Sequence, residues 1–463
     1  MFSDFAITAD AIGEASGKIE KEEILAAYLY DLDDPTLERA ALFFTGNAFA
    51  LKDERVTGVG WSSIIDAVAS VSGAERAEIG ARARRLGDIG EAVVEFLNSP
   101  APPPLTLLEV ADSFDQLAET PGKTAKTSLL ARLLSRCTAS EGKYATKILL
   151  GELRIGLASG LVEGAIRRAF GQKLSDVRRA MMLTNDLGTV ALLARAGSLH
   201  EASVRLFHPI GLMLAQPDED PQSIIDHLGS GALADDKYDG IRAQIHTDGE
   251  KVRMFSRTLD SIGDRFPELV AAARTIREPV IIDGEIVAFD DHILPFATLQ
   301  KRLGRKRVTD ELLASAPVRF FAFDLLYAGA PMIDEPLVGR LEKLKGILAG
   351  VDETILFSTQ LTVTTAEQIE RAFMDARARA NEGLVVKDPD SLYTPGRRGK
   401  AWLKYKKALA TLDCVVTAAE RGHGKRRELL SDLTFAVRRD DELVNIGKAY
   451  SGLTNREIAE TTD

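Results

Sequence analysis

The sequence predicts a chain of three regions: an all-α N-terminal region, a central α+β region and a short C-terminal region of barrel-like strands. Up to about Val204 the chain is rich in alanine, leucine, glutamate and arginine, with apolar residues at helical spacing. β-rich runs then alternate with helical stretches, and beyond Lys407 short strands follow one another with little helix between them. Because 463 residues suffice for several domains, we place the domains at residues 1–205, 206–408 and 409–463.

The N-terminal region is predicted to consist of two helical parts. Its second part contains LLARLL at residues 129–134 and the long amphipathic run KYATKILLGELRIGLASGLVEGAIRRAF at residues 143–170. The proline cluster SPAPPPL at Ser99–Leu105 separates the two parts, because proline interrupts helices.

The central region is predicted to begin at a junction and to continue with strands. The stretch LFHPIGLMLAQPDEDP at Leu206–Pro221 contains three prolines and little periodicity. IRAQIH and KVRMFSR flank a Thr-Asp-Gly-Glu turn and predict a hairpin, and PVIIDGEIVAFD and VRFFAFDLLY predict further strands. In the third region LDCVVTAAE, LTFAVRR and ELVNIGKAY predict short strands.

The composition predicts a soluble, cytoplasmic protein with no membrane partner. It is 45% hydrophobic and 27% charged, as in ordinary globular proteins. The start, MFSDFAITAD, has no basic segment before an apolar run, and no stretch of about 18 apolar residues occurs. The only cysteines, Cys137 and Cys414, are far apart, which is typical of a reducing compartment.

The charge is distributed unevenly, although the net charge is −11. Residues 1–60 carry 12 acidic against 5 basic side chains, whereas residues 121–180 carry 12 basic against 4 acidic and residues 391–430 carry 10 basic against 3 acidic. The two basic stretches are either local phosphate-binding surfaces or the solvated faces of helices.

Several familiar kinds of site are excluded. Gly122-Lys123-Thr124 resembles the end of a phosphate-binding loop, but Leu117 stands where that loop needs glycine. The chain has six histidines and neither an HExxH nor a CxxC motif. Its chemistry is therefore expected to come from lysine, arginine and carboxylates.

The stretch ADDKYDGIRAQIH at Ala234–His246 surrounds one lysine with acids. Lys237 could form a surface ion pair with Asp236 or Asp239, which would contribute little. It could also be a nucleophile whose neighbours manage charge that appears during a reaction.

Ordered motifs favour the nucleophile. KYDGIR matches the K-x-D-G-x-R signature of covalent nucleotidyltransferases, and their further motifs follow as FSR (Phe255–Arg257), DGEIVAFD with Glu285, FAFDLLY with Phe323, EGLVVK (Glu382–Lys387) and WLKYKK with Lys404 and Lys406. With AQIH, ILPFATLQKR, GRRGKAWLKYKK and the N-terminal GELRIGLA (Gly151–Ala158), the sequence resembles ATP-dependent DNA ligases over nearly its whole length, most weakly over residues 1–100.

This resemblance implies a helical DNA-binding domain, an adenylation (nucleotidyltransferase) domain and an OB-fold barrel. It implies that nicks in duplex DNA are sealed through a lysine–AMP intermediate and then a 5′-adenylated DNA intermediate. ATP and Mg²⁺ would be the cofactors and nicked double-stranded DNA the partner of a monomeric enzyme, with a sliding clamp as a candidate additional partner. The biological pathway, whether replication, repair or recombination, stays open.

The resemblance also implies roles for individual residues. Lys237 would be the nucleophile, Arg242 and Arg257 would hold ribose and phosphate, Phe323 would stack on adenine, and Asp235 would read the adenine amino group. Asp235 is a departure, since the family often has glutamate there. The alternative for Phe323 is an ordinary core residue.

Further residues would manage charge. Glu285 and Glu382 would bind Mg²⁺, with the ribose hydroxyl as the other ligand that the family uses at Glu285. The alternative from the residues is that Asp283-Gly284 forms a hairpin turn and Glu285 points to water. The cations expected around the α-phosphate are Lys387, Arg398, Lys404 and Lys406, with Arg397 replacing Arg398 if the register slips by one. The cations expected on the DNA backbone are Lys143, Lys147 and Arg154.

Two alternative functions remain, and the C-terminal end of the sequence suggests one of them. The chain stops at TNREIAETTD, about half-way through such a barrel and without the basic motif that orients pyrophosphate, so we expect slow lysine adenylation. A nick-binding protein with impaired turnover is therefore one alternative, which sealing of a pre-adenylated nick would exclude. The other is an RNA ligase or capping-type guanylyltransferase, which a preference for GTP would reveal.

Overall fold

The structure, a computed structural model, describes residues 1–50, 53, 55–97, 104–303, 305, 308–394, 398–407, 412–422, 429–440, 442–449 and 454–462. The proline cluster falls largely outside the described residues. In the parts of the chain that are described, no helix combines the length and the apolar character needed to cross a bilayer.

The N-terminal region is helical, as predicted. Its helices are α1 (Phe2–Glu14), α2 (Lys18–Tyr30), α3 (Asp34–Phe43), α4 (Trp61–Ser72), α5 (Arg76–Leu86), α6 (Ile89–Phe96), α7 (Leu107–Glu119), α8 (Lys123–Leu134), α9 (Ala139–Leu149), α10 (Ser159–Ala169), α11 (Leu174–Thr184) and α12 (Leu187–Ala196).

Capping boxes fix where two of these helices begin. The Thr106 hydroxyl accepts a hydrogen bond from the Glu109 amide at 3.1 Å, and the Glu109 carboxylate accepts one from the Thr106 amide at 2.9 Å, at the start of α7. Thr138 and Glu141 form the same reciprocal pair at the start of α9. Each pair satisfies backbone amides that have no partner within the helix.

The central region is α+β, as predicted. Its strands are β1 (Leu214–Pro217), β2 (Ala232–Lys237), β3 (Ile241–Thr247), β4 (Val252–Ser256), β5 (Val280–Ala288), β6 (Val318–Ala328), β7 (Ile355–Phe357), β8 (Gln360–Val363), β9 (Gly383–Lys387) and β10 (Arg398–Tyr405). Its helices are α13 (Pro221–Leu228), α14 (Pro267–Ala273), α15 (Phe296–Leu303), α16 (Asp310–Ser315), α17 (Leu337–Leu348) and α18 (Ala366–Ala378).

These strands form two sheets. One has the order β1-β10-β9-β2-β8 and the other the order β4-β3-β5-β6-β7. Neighbouring strands are antiparallel except for β1 with β10 and β6 with β7. The predicted hairpin is confirmed, because β3 pairs with β4 across a turn in which Gly249 has a φ of +91°.

Apolar side chains of the second sheet form the core of this region. Ile245, Ile282 and Phe320, from β3, β5 and β6, are fully buried together with residues of α14 and α17. The strands β5 and β6 are buried along almost their entire length. Asp283-Gly284 therefore lies within a central strand, so the hairpin-turn alternative for these two residues is wrong.

The third region contains a β-sheet. Its strands β11 (Val415–Arg421), β12 (Leu430–Arg439) and β13 (Glu442–Ala449) pair antiparallel in that order and are followed by α19 (Asn455–Thr462). The three predicted strands are thus confirmed. An OB-fold is a five-stranded barrel, and its presence here stays a prediction.

By the density of contacts the chain divides into two compact units. One comprises residues 7–56 and 151–407, with α2 packed on α10 and α3 on α12. The other comprises residues 1–6, 57–150 and 408–463, with α4 packed on α8 and α6 on α9. The helical region is therefore shared between the two units, and the linear domain boundaries stay predictions.

Candidate active site

A cavity of about 410 Å³ lies within the first of these units. Strands of both central sheets line it, because β1, β2, β9 and β10 of one sheet and β3, β5 and β6 of the other contribute side chains. Nearly all the predicted nucleotide-site residues line this cavity: Asp235, Lys237, Arg242, Arg257, Glu285, Phe323, Glu382, Lys387 and Lys404. Residues up to 190 positions apart in the sequence are thereby brought to one place.

Lys237 is the last residue of β2, and it lines the cavity. It forms an ion pair with the carboxylate of Glu382, and the side chain of Lys237 is 22% exposed. The backbone repeats this connection, since the Glu382 amide donates to the Lys237 carbonyl at 2.8 Å. The ion-pair partner is thus neither Asp236 nor Asp239, and the surface-pair alternative is wrong in its choice of partner.

Asp236 has a different role, which the sequence did not indicate. Its buried carboxylate accepts hydrogen bonds from Arg379 at 2.9 and 2.7 Å and from the Asn381 amide at 2.9 Å. Ala380, between these two residues, has a left-handed φ of +67°. Asp236 therefore fastens the turn that leads from α18 to Glu382.

The carboxyl of Asp239 lies close to Glu382. Burial raises the pKa of Asp239, and the negative charge of Glu382 raises it further, while Lys237 opposes both. The next residue, Gly240, has no room for a side chain, because a Cβ would collide with the Ile286 carbonyl. Close packing thus explains the glycine of the lysine motif.

A buried ion pair between Lys387 and Asp235 forms part of the cavity wall. Lys387 donates to the Asp235 carboxylate and, at 3.2 Å, to the Phe323 carbonyl. Burial raises the pKa of Asp235, and Lys387 partly offsets this. The Lys387 ammonium also lies 4.5 Å from the ring centre of Trp402, which the sequence did not single out.

Arg242, on β3, connects β5 to the residue that precedes β1. Its guanidinium donates to both oxygens of Asp283, at 3.2 and 2.8 Å, and to the Met213 carbonyl at 2.6 Å. The Tyr393 hydroxyl also donates to Asp283, at 2.8 Å. Burial alone would lower the pKa of Arg242, but the Asp283 carboxylate raises it above its ordinary value. Most of the donors of Arg242 are thus engaged within the protein.

The remaining predicted nucleotide contacts differ in exposure. Phe323 is half-buried, with the Arg242 guanidinium 5.3 Å from its ring centre. Arg257 is exposed at the edge of the cavity. Glu285 is partly buried, and burial raises the pKa of its carboxyl to about 8, against the opposing effects of Arg242 and Lys237.

Glu285 should make the stability of the metal-free protein depend on pH. The carboxyl pKa of about 8 lies above its ordinary value of 4.5, so the folded protein binds more protons than the unfolded chain between these values. The free energy of unfolding should therefore fall as the pH rises from about 5 to 8, by about 1–3 kcal/mol from this group. Urea unfolding in EDTA should show a weaker pH dependence for Glu285→Gln, and equal pH dependence would contradict the raised pKa.

Glu285 and Glu382 have the chemistry to bind a divalent cation. Among the described residues, no three His, Cys, Asp or Glu side chains form a group that could hold a metal ion. Both carboxylates line the cavity, and the charge of Glu382 helps to raise the pKa of Glu285. Mg²⁺ often takes only one or two protein carboxylates and completes its shell with phosphate oxygens and water, so this pair fits the ion.

The other predicted cations lie at different depths. Lys404 is half-buried in the cavity wall and Lys406 is exposed. Arg398 begins β10, but its side chain lies outside the described part of the structure, as does the whole of Arg397.

The predicted DNA-backbone cations are not equivalent. Arg154 is exposed in the loop before α10 and pairs with Glu152 at 2.6 Å. Lys143 pairs with Glu91 at 3.1 Å. The prediction for Lys147 needs correction: its side chain is only 4% exposed and pairs with Asp88 and Glu91, at 3.0 and 2.8 Å, so its ammonium is unavailable to a phosphate.

The chain is similar in sequence to known proteins of one family. The family described as "ATP dependent DNA ligase domain" matches residues 212–406, and "DNA ligase N terminus" matches residues 1–167. A "Probable DNA ligase" of Koribacter versatilis is 46% identical over 98% of this chain and 83% of its own length. A "DNA ligase" of Archaeoglobus fulgidus is 32% identical over 100% of this chain and 86% of its own.

The fold is also similar to that of a solved structure. The one named Pmar-Lig_PreS3 has a TM-score of 0.60 and 16% identity, covering 98% of this chain and 89% of that chain. The two family matches together span most of the sequence. The lysine motif lies within the matched segment 212–406, and its Lys237 lines the cavity. The chain belongs to the family of ATP-dependent DNA ligases.

Proposed function

We propose that Lys237 is the nucleophile with which this ligase seals nicks in duplex DNA. The observation that carries the proposal is the position of Lys237, which lines the cavity and whose ammonium pairs with Glu382. An ammonium has no free electron pair, so Lys237 must first lose a proton to solvent before it can form a bond to phosphorus. Lys387 and Lys404 line the same cavity.

Three bond exchanges then follow. The Lys237 Nζ forms a bond to the α-phosphorus of ATP as the bond from that phosphorus to the bridging oxygen breaks and pyrophosphate leaves. An oxygen of the 5′-phosphate of the nick then forms a bond to the phosphorus of AMP as the bond from that phosphorus to the Lys237 Nζ breaks and the amine leaves. The oxygen of the 3′-hydroxyl finally forms a bond to the activated 5′-phosphorus as the bond to AMP breaks, so AMP leaves and the hydroxyl proton passes to solvent. The third exchange needs no free lysine nucleophile.

The adenosine would contact Phe323, Asp235 and Arg257, which line the cavity together with Lys237. Phe323 offers a half-buried ring for adenine, and Asp235 retains acceptor capacity for an amino group. Arg257 is exposed at the cavity edge and suits a ribose or phosphate contact. Arg242 is largely engaged by Asp283, so we assign it chiefly to holding the cavity together.

Glu285 and Glu382 would hold Mg²⁺, which when bound supplies positive charge to the phosphates and the departing pyrophosphate. Lys387 and Lys404 add charge from the protein, and Lys406 and Arg398 are further candidates nearby in the sequence.

Duplex DNA would be held by exposed cations of the helical region. Residues 121–180 are strongly basic, and Arg154 is the exposed candidate from the predicted set. Lys143, which is only 16% exposed and pairs with Glu91, is a weaker candidate. Such contacts give salt-dependent and largely sequence-independent affinity. We further propose that the sheet of β11, β12 and β13 is part of an OB-fold and that the enzyme acts as a monomer; a sliding clamp is a candidate partner.

Two nicked substrates test this function. We expect a pre-adenylated nick to be sealed without ATP, an ordinary nick to be sealed only with ATP, and EDTA to abolish both reactions. GTP should not replace ATP, and a preference for GTP would favour a capping-type enzyme. If the nick is bound but neither substrate is joined, the chain is a nick-binding protein and the proposed chemistry is wrong.

A further inference from the structure

We infer that Lys21, far from the cavity residues in the sequence, is a positioning residue for DNA binding. It would hold the loop of residues 151–158, called here the 151–158 loop, in the conformation that presents Arg154. The inference rests on the proposed contact of Arg154 with the DNA backbone. Lys21 itself would not contact DNA.

The ammonium of Lys21 is buried among backbone carbonyls. The residue is 8% exposed, and its Nζ donates to the carbonyl of Ile12 and to the carbonyl of Ile155, each at 2.6 Å. Ile12 belongs to the last turn of α1, where carbonyls lack partners within the helix and favour a positive charge. Lys21 thus connects α1 and α2 to the 151–158 loop.

The 151–158 loop has an unusual backbone that requires such support. Gly151, Arg154 and Gly156 all have left-handed φ angles, of +79°, +57° and +68°. Arg154 is the notable case, because a non-glycine residue adopts this conformation only when its surroundings enforce it. Leu153 and Ile155, on either side of Arg154, are buried and point away from solvent.

Close contacts secure both ends of this loop. At its start, a Cβ on Gly46 would lie 3.1 Å from the Gly151 carbonyl oxygen, so the two backbones are in near contact. Towards its end, a Cβ on Gly156 would lie 3.1 Å from the Lys21 Nζ. The loop therefore passes directly over the Lys21 ammonium, and a glycine permits this approach.

Loss of the ammonium should release one side of the loop. The Ile155 carbonyl would lose a charge-assisted hydrogen bond, and a buried polar group without a partner is unfavourable. The loop can relieve this by turning the carbonyl towards water, which rotates the neighbouring backbone of Arg154. The guanidinium would then be presented in many orientations, and binding would incur the entropy of ordering it.

Lys21→Met tests this inference, with Lys18→Met as the matched control. Lys18 is exposed one turn earlier on the same helix, so its replacement removes the same charge without touching the 151–158 loop. We expect Lys21→Met to weaken binding of a nicked duplex about tenfold and Lys18→Met to bind within about twofold of the original chain. Unchanged binding by Lys21→Met would overturn the inference.

Salt dependence separates positioning from direct contact. A residue that neutralises one phosphate contributes about 0.9 to the slope of log K against log salt concentration. Arg154→Ala should reduce the slope by about this amount, whereas Lys21→Met should leave it unchanged while lowering affinity. A reduced slope for Lys21→Met would overturn the positioning role. If Arg154→Ala changes neither affinity nor slope, the proposed DNA contact fails instead.

Hydrogen exchange distinguishes a local effect from general loss of stability. Amides of residues 151–158 should exchange faster in Lys21→Met, with exchange in the central sheets unchanged. If that variant does not fold, Lys21→Arg, which retains the charge but shifts the donors, is measured in its place. Weaker nick binding with an unchanged salt slope would support the inference for Lys21→Arg, and binding equal to the original chain would overturn it.

Discussion

Replacing Lys237 by alanine should abolish lysine–AMP formation and reduce ATP-dependent sealing of an ordinary nick by at least about four orders of magnitude. The reason is that no other group can form the covalent intermediate, and loss of a nucleophile costs about six orders in a characterised hydrolase. Sealing of a pre-adenylated nick should fall by no more than about tenfold, because that exchange does not use the lysine. Both rates are measured with labelled nicked duplexes under single-turnover conditions.

Two further variants show whether a loss of activity in Lys237→Ala is due to the missing nucleophile. Lys237→Arg keeps the positive charge next to Glu382 but cannot lose its proton, so it should be as inactive in adenylation as Lys237→Ala. Lys251→Ala removes an exposed lysine that does not line the cavity and should leave both reactions unchanged. Appreciable adenylation by Lys237→Arg would mean that another residue is the nucleophile.

Replacing Arg242 by alanine should lower the free energy of unfolding by about 3–5 kcal/mol, which is the usual cost of removing one partner of a buried ion pair. Asp283 is fully buried and accepts two hydrogen bonds from Arg242. Without Arg242, the buried carboxylate would keep the hydrogen bond from the Tyr393 hydroxyl but lose its ion-pair partner. Chemical denaturation of the whole chain measures the change.

Arg257→Ala is the matched control for Arg242. Arg257 is exposed at the edge of the same cavity, so its loss should change the free energy of unfolding by no more than about 0.5 kcal/mol. Its kcat/KM for ATP should nevertheless fall about 10–100-fold, the usual effect of losing a charge-assisted hydrogen bond. Equal destabilisation by the two substitutions would contradict the separate roles.

Much of the central region could be predicted because its signals are local in the sequence. Alternating and β-branched runs predicted the hairpin of β3 and β4 and the long strands β5 and β6. The lysine motif and the motifs that follow it predicted which side chains meet in the cavity. Each of these patterns lies within one strand or at its end, so a short segment of sequence is enough to predict it.

The partners of these residues could not be predicted in the same way. Lys237 pairs with Glu382 across 145 residues, and Asp236 pairs with Arg379 across 143. Which of several neighbouring acids faces the lysine depends on the register between β2 and β9, and one residue of slip would turn every side chain to the other face. Tyr393, which donates to Asp283, is 110 residues from it and belongs to no recognised motif.

The number of basic residues in a stretch did not identify which of them could contact DNA. Residues 121–180 carry a net positive charge, but Lys147 is buried in that stretch because Asp88, which caps α6, and Glu91, within α6, supply its counter-charges. The stretch therefore contains both surface cations and structural ion pairs, and only the packing of α6 on α9 distinguishes them. Lys21 shows the converse, since a lysine in an acidic part of the chain supports a loop 134 residues away.

The most direct measurement is a peptide map of the intact chain after prolonged incubation with ATP and Mg²⁺. We expect AMP on the peptide that contains Lys237, and we expect it to move to the 5′-phosphate when nicked duplex is added. AMP on a different cavity lysine, such as Lys387 or Lys404, would contradict the assignment of the nucleophile, as would ATP-dependent sealing by Lys237→Ala.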